Sequence, residues 1–280
     1  MIQWYPGHME KARRSMRESL KLVDLVIEVL DARAPLSCLN PEIDRMGEGK
    51  ARLFLLNKAD MADPGMNRYW KEVFEAEGRP TLLINARTGE GMKEFDRAVE
   101  SIMAERKERN ARRGIINRPV RAMVAGIPNS GKSTFINRFV KKAVTKTGNR
   151  PGVTRGNQWI RMGKGMELLD TPGILWPKIE REECGWNLAL IGSVNDAIVQ
   201  TEDLASHALK KVRALNPGTL AERYGADKSM NDTDIFAAAA GRFSMLLPGG
   251  EADIKRAAGM VIDDFRSLKL GRITVDEKET

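Results

Sequence analysis

The chain has 280 residues, 42% hydrophobic and 30% charged, with a formal net charge of +8, which is room for one large or two ordinary globular domains. No run is long and apolar enough to cross a bilayer, no opening apolar run suits a secretory signal, and Cys38 and Cys184 alone exclude a cysteine-rich zinc site. The expectation is a cytosolic protein in a reducing compartment, with no membrane partner and with a basic balance suited to an anionic one.

The chain opens MIQWYPGHM, where Trp4 and Tyr5 need a surface to pack on and Pro6-Gly7 turns the backbone just before His8, one of two histidines. Residues 10–20 read as a basic amphipathic helix. Val23–Leu30, Ala51–Asn57 and Thr81–Ala86 read as strands, with helical patterns between them such as Met66–Glu77. Strands alternating with helices predict right-handed βαβ units and a parallel sheet. Gly91–Arg113 reads as one long helix whose charged end is solvated. A fourth strand, Val120–Gly126, precedes a helix from about Lys132, and Asn157–Met162 with Met166–Asp170 reads as a strand pair. That makes six strands in a mostly parallel sheet. Beyond about Glu180 the patterns turn helical (Asp196–Leu215, Thr233–Leu247, Glu251–Leu270), broken at Asn216-Pro217-Gly218 and Pro248-Gly249-Gly250. The expected organisation is an α/β domain over 1–179 and an all-α domain over 180–280.

Four short motifs carry chemistry. GIPNSGKS, Gly126–Ser133, fits G-x-x-x-x-G-K-[ST] between a strand and a helix. In such a loop, backbone N–H groups converge on phosphate oxygens. Asn129, Ser130, Gly131, Lys132, Ser133 and Thr134 are the phosphate-side candidates, with Lys132 reaching the β- and γ-phosphates and Ser133 holding Mg²⁺. DTPG, Asp170–Gly173, ends a later strand: Asp170 suits the Mg²⁺ shell and the Gly173 N–H the γ-phosphate. Thr154 in PGVTRG lies between them and is a third Mg²⁺ candidate, on a loop whose order would report the γ-phosphate. NKAD, Asn57–Asp60, follows a strand. The Asp60 carboxylate can accept from guanine N1–H and the exocyclic amine, a donor pair adenine lacks, and the Lys58 stem can lie along the base. Asn85 and Ala86 of NAR follow the next strand, with the Ala86 N–H expected to meet guanine O6. From Pro119 to Met166 there is no Asp or Glu, a one-signed stretch suited to polyphosphate or nucleic acid.

These motifs resemble those of Ras-like GTPases in a permuted order, NKAD and NAR before GIPNSGKS, PGVT and DTPG. With DAR (Asp31–Arg33) and the WYPGHM opening, the chain resembles the ribosome biogenesis GTPase A family of YlqF-type circularly permuted GTPases, essentially over its whole length. The resemblance implies a P-loop GTPase domain followed by a helical RNA-binding domain, a GTP/GDP ligand, and late assembly of the bacterial large ribosomal subunit with its rRNA as partner. Ile174 stands where Ras-like enzymes carry the water-orienting Gln, and the family implies that His8 does that work. Asn129 resembles the residue of K⁺-dependent GTPases, where the cation stabilises transition-state charge. Nothing in the sequence demands a dimer. Two rival readings remain: a GTP-dependent RNA-binding scaffold with little hydrolysis, and a GTPase serving tRNA or the small subunit. Lys210, Lys211 and Arg213 are candidates for the RNA-facing side of one helix.

Overall fold

Residue Leu25 begins a seven-residue strand, LVIEVLD, in which every position is buried. Such a strand needs neighbours on both edges and cover on both faces, the environment of a central parallel strand. In the computed structural model, which describes residues 9–115, 118–138, 159–162, 165–170, 179, 181–195, 198–227 and 229–278, it has both. This strand, β1 (Leu25–Asp31), pairs in parallel with β2 (Ala51–Asn57) on one edge and β4 (Val120–Ala125) on the other. Strand β3 (Thr81–Ile84) extends the β2 edge in parallel, and β6 (Met166–Asp170) extends the β4 edge. The short β5 (Trp159–Met162) closes that edge antiparallel to β6. The six-stranded order is therefore β3-β2-β1-β4-β6-β5.

The permutation shows in this order. The sheet reverses its winding between β1 and β4, and in open α/β sheets ligands bind where the order reverses, beyond the carboxyl ends of the strands. The ends of β1, β2, β3 and β4 all feed the loops described below.

Among the described residues, the helices on the sheet half are α1 (Met9–Leu20), α2 (Pro41–Met46), α3 (Pro64–Ala76), α4 (Lys93–Ile102), α5 (Ala104–Arg112) and α6 (132–138). The single helix expected over Gly91–Arg113 is two. Met103 interrupts it at φ −95°, ψ 0°, staying buried in the core beside Phe95 and Val99 while α5 turns away with no buried residue of its own. A helix polar on every face has no apolar stripe to follow the sheet, so the chain breaks where the stripe ends.

Helices α7 (Glu182–Leu190), α8 (Thr201–Leu215), α9 (Gly218–Tyr224), α10 (Asp232–Arg242) and α11 (Ile254–Arg266) form the second half. Its core runs without interruption into the sheet half: Leu30, Phe54, Trp70 and Phe74 share one buried cluster with Leu188, Leu209, Val261 and Phe265. The final segment returns to the sheet half. Val275 N–H donates to the Arg33 carbonyl at 2.7 Å, and Asp276 accepts from the Ser37 N–H at 2.8 Å and from Asn187 Nδ2 at 3.0 Å.

Candidate nucleotide-binding site

Asn57 is the last residue of β2 and 3% exposed. Its side-chain oxygen accepts from the Ala86 N–H at 2.9 Å, and its Nδ2 donates to the Ser130 carbonyl at 2.8 Å. One amide thus binds the NKAD, NAR and GIPNSGKS loops together, each arriving from a different strand. Gly131 must be glycine for this to work. Its φ is +101°, and a Cβ there would sit 2.1 Å from Asn57 Nδ2. The Ala86 N–H expected at guanine O6 is thus engaged by Asn57; Ala86 still lines the cleft below.

Lys58 follows in a left-handed conformation, φ 59°. Its Nζ donates to Asp31 Oδ2 at 2.7 Å and to the Asn129 carbonyl at 2.8 Å, lying across the phosphate-loop sequence. Burial alone would raise the Asp31 carboxyl. The Arg33 guanidinium and the Lys58 ammonium outweigh it and hold the group below the usual carboxylate range. Arg33 makes the bidentate pair, Nε to Oδ1 at 3.0 Å and an Nη to Oδ2 at 2.8 Å, and the same Nη reaches the Ile191 carbonyl at 3.1 Å. Asp31 and Arg33 entered the sequence reading only through a resemblance. The structure makes them the link between the NKAD loop and the turn after α7.

The loop Gly126–Ser133 leaves β4 and enters α6. Gly126 has φ +144°, and a Cβ there would meet the Val29 carbonyl at 2.4 Å, so the loop lies flat on β1. Lys132 is 7% exposed and its Nζ donates back across the loop to the Ile127 carbonyl at 2.6 Å. The Ser130 hydroxyl is fully buried with no hydrogen-bond partner among the described residues. Ser133 and Thr134 are exposed at the first turn of α6. An unpaired buried hydroxyl, a cation and a helix N-terminus in one turn are the parts of a phosphate cradle. Asn129 takes φ 58° at the tip, and its Nδ2 donates to the Gly192 carbonyl at 2.8 Å.

For a divalent cation the donor chemistry fits Mg²⁺: an exposed Ser133 hydroxyl, and Asp170 ending β6 in register with Val124, two residues before Gly126. Only the backbone of Asp170 is described. His8, Thr154 and Gly173 lie outside the described residues, as do Trp4, Tyr5 and Ile174.

Beside these loops lies a cleft of about 480 Å³ lined by Asn57, Lys58, Asp60, Asn85, Ala86 and Thr134, with Ser267 and Leu268 at its helical border. Asn85 is buried, and its oxygen accepts from the Arg87 and Thr88 N–H groups at 2.9 and 3.0 Å, fixing the NAR turn. Arg138 of α6 clamps the same turn through the Arg87 and Thr88 carbonyls at 2.9 and 2.6 Å. In the sequence Arg138 stands out only as part of the acid-free basic stretch Pro119–Met166, not as a clamp on NAR, and Leu268 not at all, because no motif links them to residues so distant in the chain.

The RNA-facing candidates on α8 divide. Lys210 is exposed. Lys211 is 1% exposed and paired with Glu183 at 2.7 Å and Glu277 at 2.9 Å, and Arg213 pairs with Asp232. Lys211 therefore does not face a partner; it fastens the returning C-terminal segment to α7.

A profile of the family described as "50S ribosome-binding GTPase" matches residues 121–230. It begins at β4 and leaves NKAD on its N-terminal side, as the permuted order requires. Ribosome biogenesis GTPase A of Bacillus cereus is 45% identical over 280 residues, covering 100% of this chain and 95% of the relative. The protein of that name from Thermotoga maritima is 31% identical over 99% of this chain and 95% of its own. Among the solved structures that align are two at 28% identity. The GDP-bound structure of TM YlqF has a TM-score of 0.67 over 93% of this chain and 97% of the other. The GNP-bound YlqF from T. maritima has 0.65 over 95% and 97%.

Proposed function

The chain belongs to the ribosome biogenesis GTPase A family and is a GTP-hydrolysing enzyme, and from that premise we propose that it acts late in maturation of the bacterial large ribosomal subunit, binding rRNA and using hydrolysis as the signal for release. The observation that carries this reading is the direct bonding of the nucleotide loops to the helical half: Asn129 to Gly192, and Arg33 to Ile191. A change at the phosphates displaces groups that touch the helical half without an intermediary, so the state of the nucleotide can be read there.

The residues divide the work as follows. Asp60 accepts from the guanine edge and excludes adenine. Backbone amides of the phosphate loop and Lys132 hold the β- and γ-phosphates. Ser133, Asp170 and Thr154 hold Mg²⁺, which when bound offsets charge on the phosphate oxygens. Asn129 is the candidate K⁺ ligand, through its side-chain oxygen. Ile174 cannot orient water, and His8, as a neutral imidazole, orients the attacking one in its place. The description of the matching family as 50S ribosome-binding supports the large subunit over tRNA or the small subunit as partner. The test is co-sedimentation with purified subunits. Association with large subunits, stronger with a non-hydrolysable GTP analogue than with GDP, is expected; equal association in both nucleotide states would refute the release model.

A further inference from the structure

The last turn of α11 ends in an unusual way. Ser267 caps it, the Leu268 N–H donates to the Phe265 carbonyl at 3.2 Å, and the Lys269 N–H donates to the Asp264 carbonyl at 2.9 Å. This is the paired-bond helix stop whose left-handed residue is usually glycine. Here that residue is Leu268, at φ 66°. A branched side chain in this conformation is strained, and such strain is kept where the surroundings over-determine it, often at a ligand site.

The surroundings do fix it. Asp264 is fully buried and accepts from Lys269 Nζ at 2.8 Å, Arg223 Nε at 2.8 Å and the Tyr224 hydroxyl at 3.1 Å, so α9 holds the stop from one side. Leu270 is fully buried and anchors it from the other. Held this way, Leu268 lines the base cleft together with Asn57, Lys58, Asp60 and Ala86. A purine offers polar edges and two apolar faces. The polar edges are served by the strand-end loops, and Leu268 is an apolar side chain delivered from the helical half.

We propose that Leu268 is a base-contacting residue that packs on the guanine, so that the nucleotide bridges the two halves and leaves only when the end of α11 moves. The proposal rests on the guanine site assigned above. It gives the helical half a grip on nucleotide exchange that is separate from the Asn129 and Arg33 links at the phosphate end.

The experiment follows dissociation of 2′/3′-O-(N-methylanthraniloyl)-GDP from the full chain by stopped flow. Leu268→Gly removes the side chain and relieves the left-handed strain, so the fold is retained, and dissociation should accelerate about five- to tenfold. Leu268→Asn, whose side chain tolerates the same backbone, should accelerate similarly, while Leu268→Met should stay within about twofold of the parent. An unchanged rate in Leu268→Gly overturns the proposal. Equal acceleration in all three variants overturns it too, since that would trace the effect to the backbone and not the apolar contact. Asp60→Asn, tested with xanthosine nucleotides, checks the guanine assignment separately: failure to shift preference toward xanthine would refute that assignment on its own.

Discussion

Two buried ionisable residues set opposing pH dependences. Burial pushes the Glu28 carboxyl up to about 7, and Arg52 draws it back only in part. The folded chain therefore keeps a proton that the unfolded chain releases near 4.5, and stability falls as pH rises from 4.5 to 7. Burial, with Lys211 adding to it, lowers His207 to about 4. The unfolded chain takes up a proton near 6.5 that the folded chain refuses, so this group makes stability rise with pH from 4 to 6.5. Each slope approaches about 1.4 kcal/mol per pH unit where it is fully developed, and the two oppose each other in the window they share. Denaturant titrations at a series of pH values separate the two by difference from the parent, in which the buried Asp276 carboxyl, also raised by burial, adds its own fall with rising pH. Relative to the parent, Glu28→Gln should tilt the profile toward rising with pH, and His207→Gln toward falling. Two variants that both keep the parent's profile would show that neither group titrates as described.

At the scale of elements, the site is made by loops from different strands held in one place. Asn57→Ala removes the single amide that joins three of them and leaves the buried Ala86 N–H and the Ser130 carbonyl without their partner. The expected cost is about 3 kcal/mol in denaturant unfolding, with a loss of GDP affinity measured by calorimetry beyond what the stability change explains. Unchanged stability would mean the loops are held by other bonds. The strands themselves were legible from residue pattern: Ala51–Asn57 and Met166–Asp170 form over the residues expected, because apolar runs bounded by polar ones have one way to be buried. So was the gathering of NKAD, NAR and GIPNSGKS, since each motif follows a strand of one parallel sheet. The break at Met103 was not legible, because charge and apolar spacing in Gly91–Arg113 satisfy one helix or two, and the sheet decides. Lys211 misled for a related reason. A lysine on a helix reads as exposed until its partners, Glu183 and the returning Glu277, are known.

For the whole molecule, the circular permutation decides which loops join the helical half to the sheet. In this chain order, β6 and its DTPG motif lead almost at once into α7, while β1 and β2, which carry DAR and NKAD, lie at the start. The helical half is consequently bound to these loops at both ends: Gly192 and Ile191 meet the GIPNSGKS loop and DAR, and Leu268 borders the cleft lined by Asn57 and Asp60. The shared core of Leu30, Phe54, Leu188 and Phe265 makes the two halves a single body. A helical half built this way is joined to the loops that the proposed nucleotide would occupy, at Gly192, Ile191 and Leu268. The most direct measurement is GTP hydrolysis in potassium buffer, alone, with purified large ribosomal subunits and with small ones, for the parent and for His8→Ala. Stimulation by large subunits alone, lost in His8→Ala with GTP binding intact, is the predicted result. No stimulation by either subunit, or equal stimulation by both, would contradict the account.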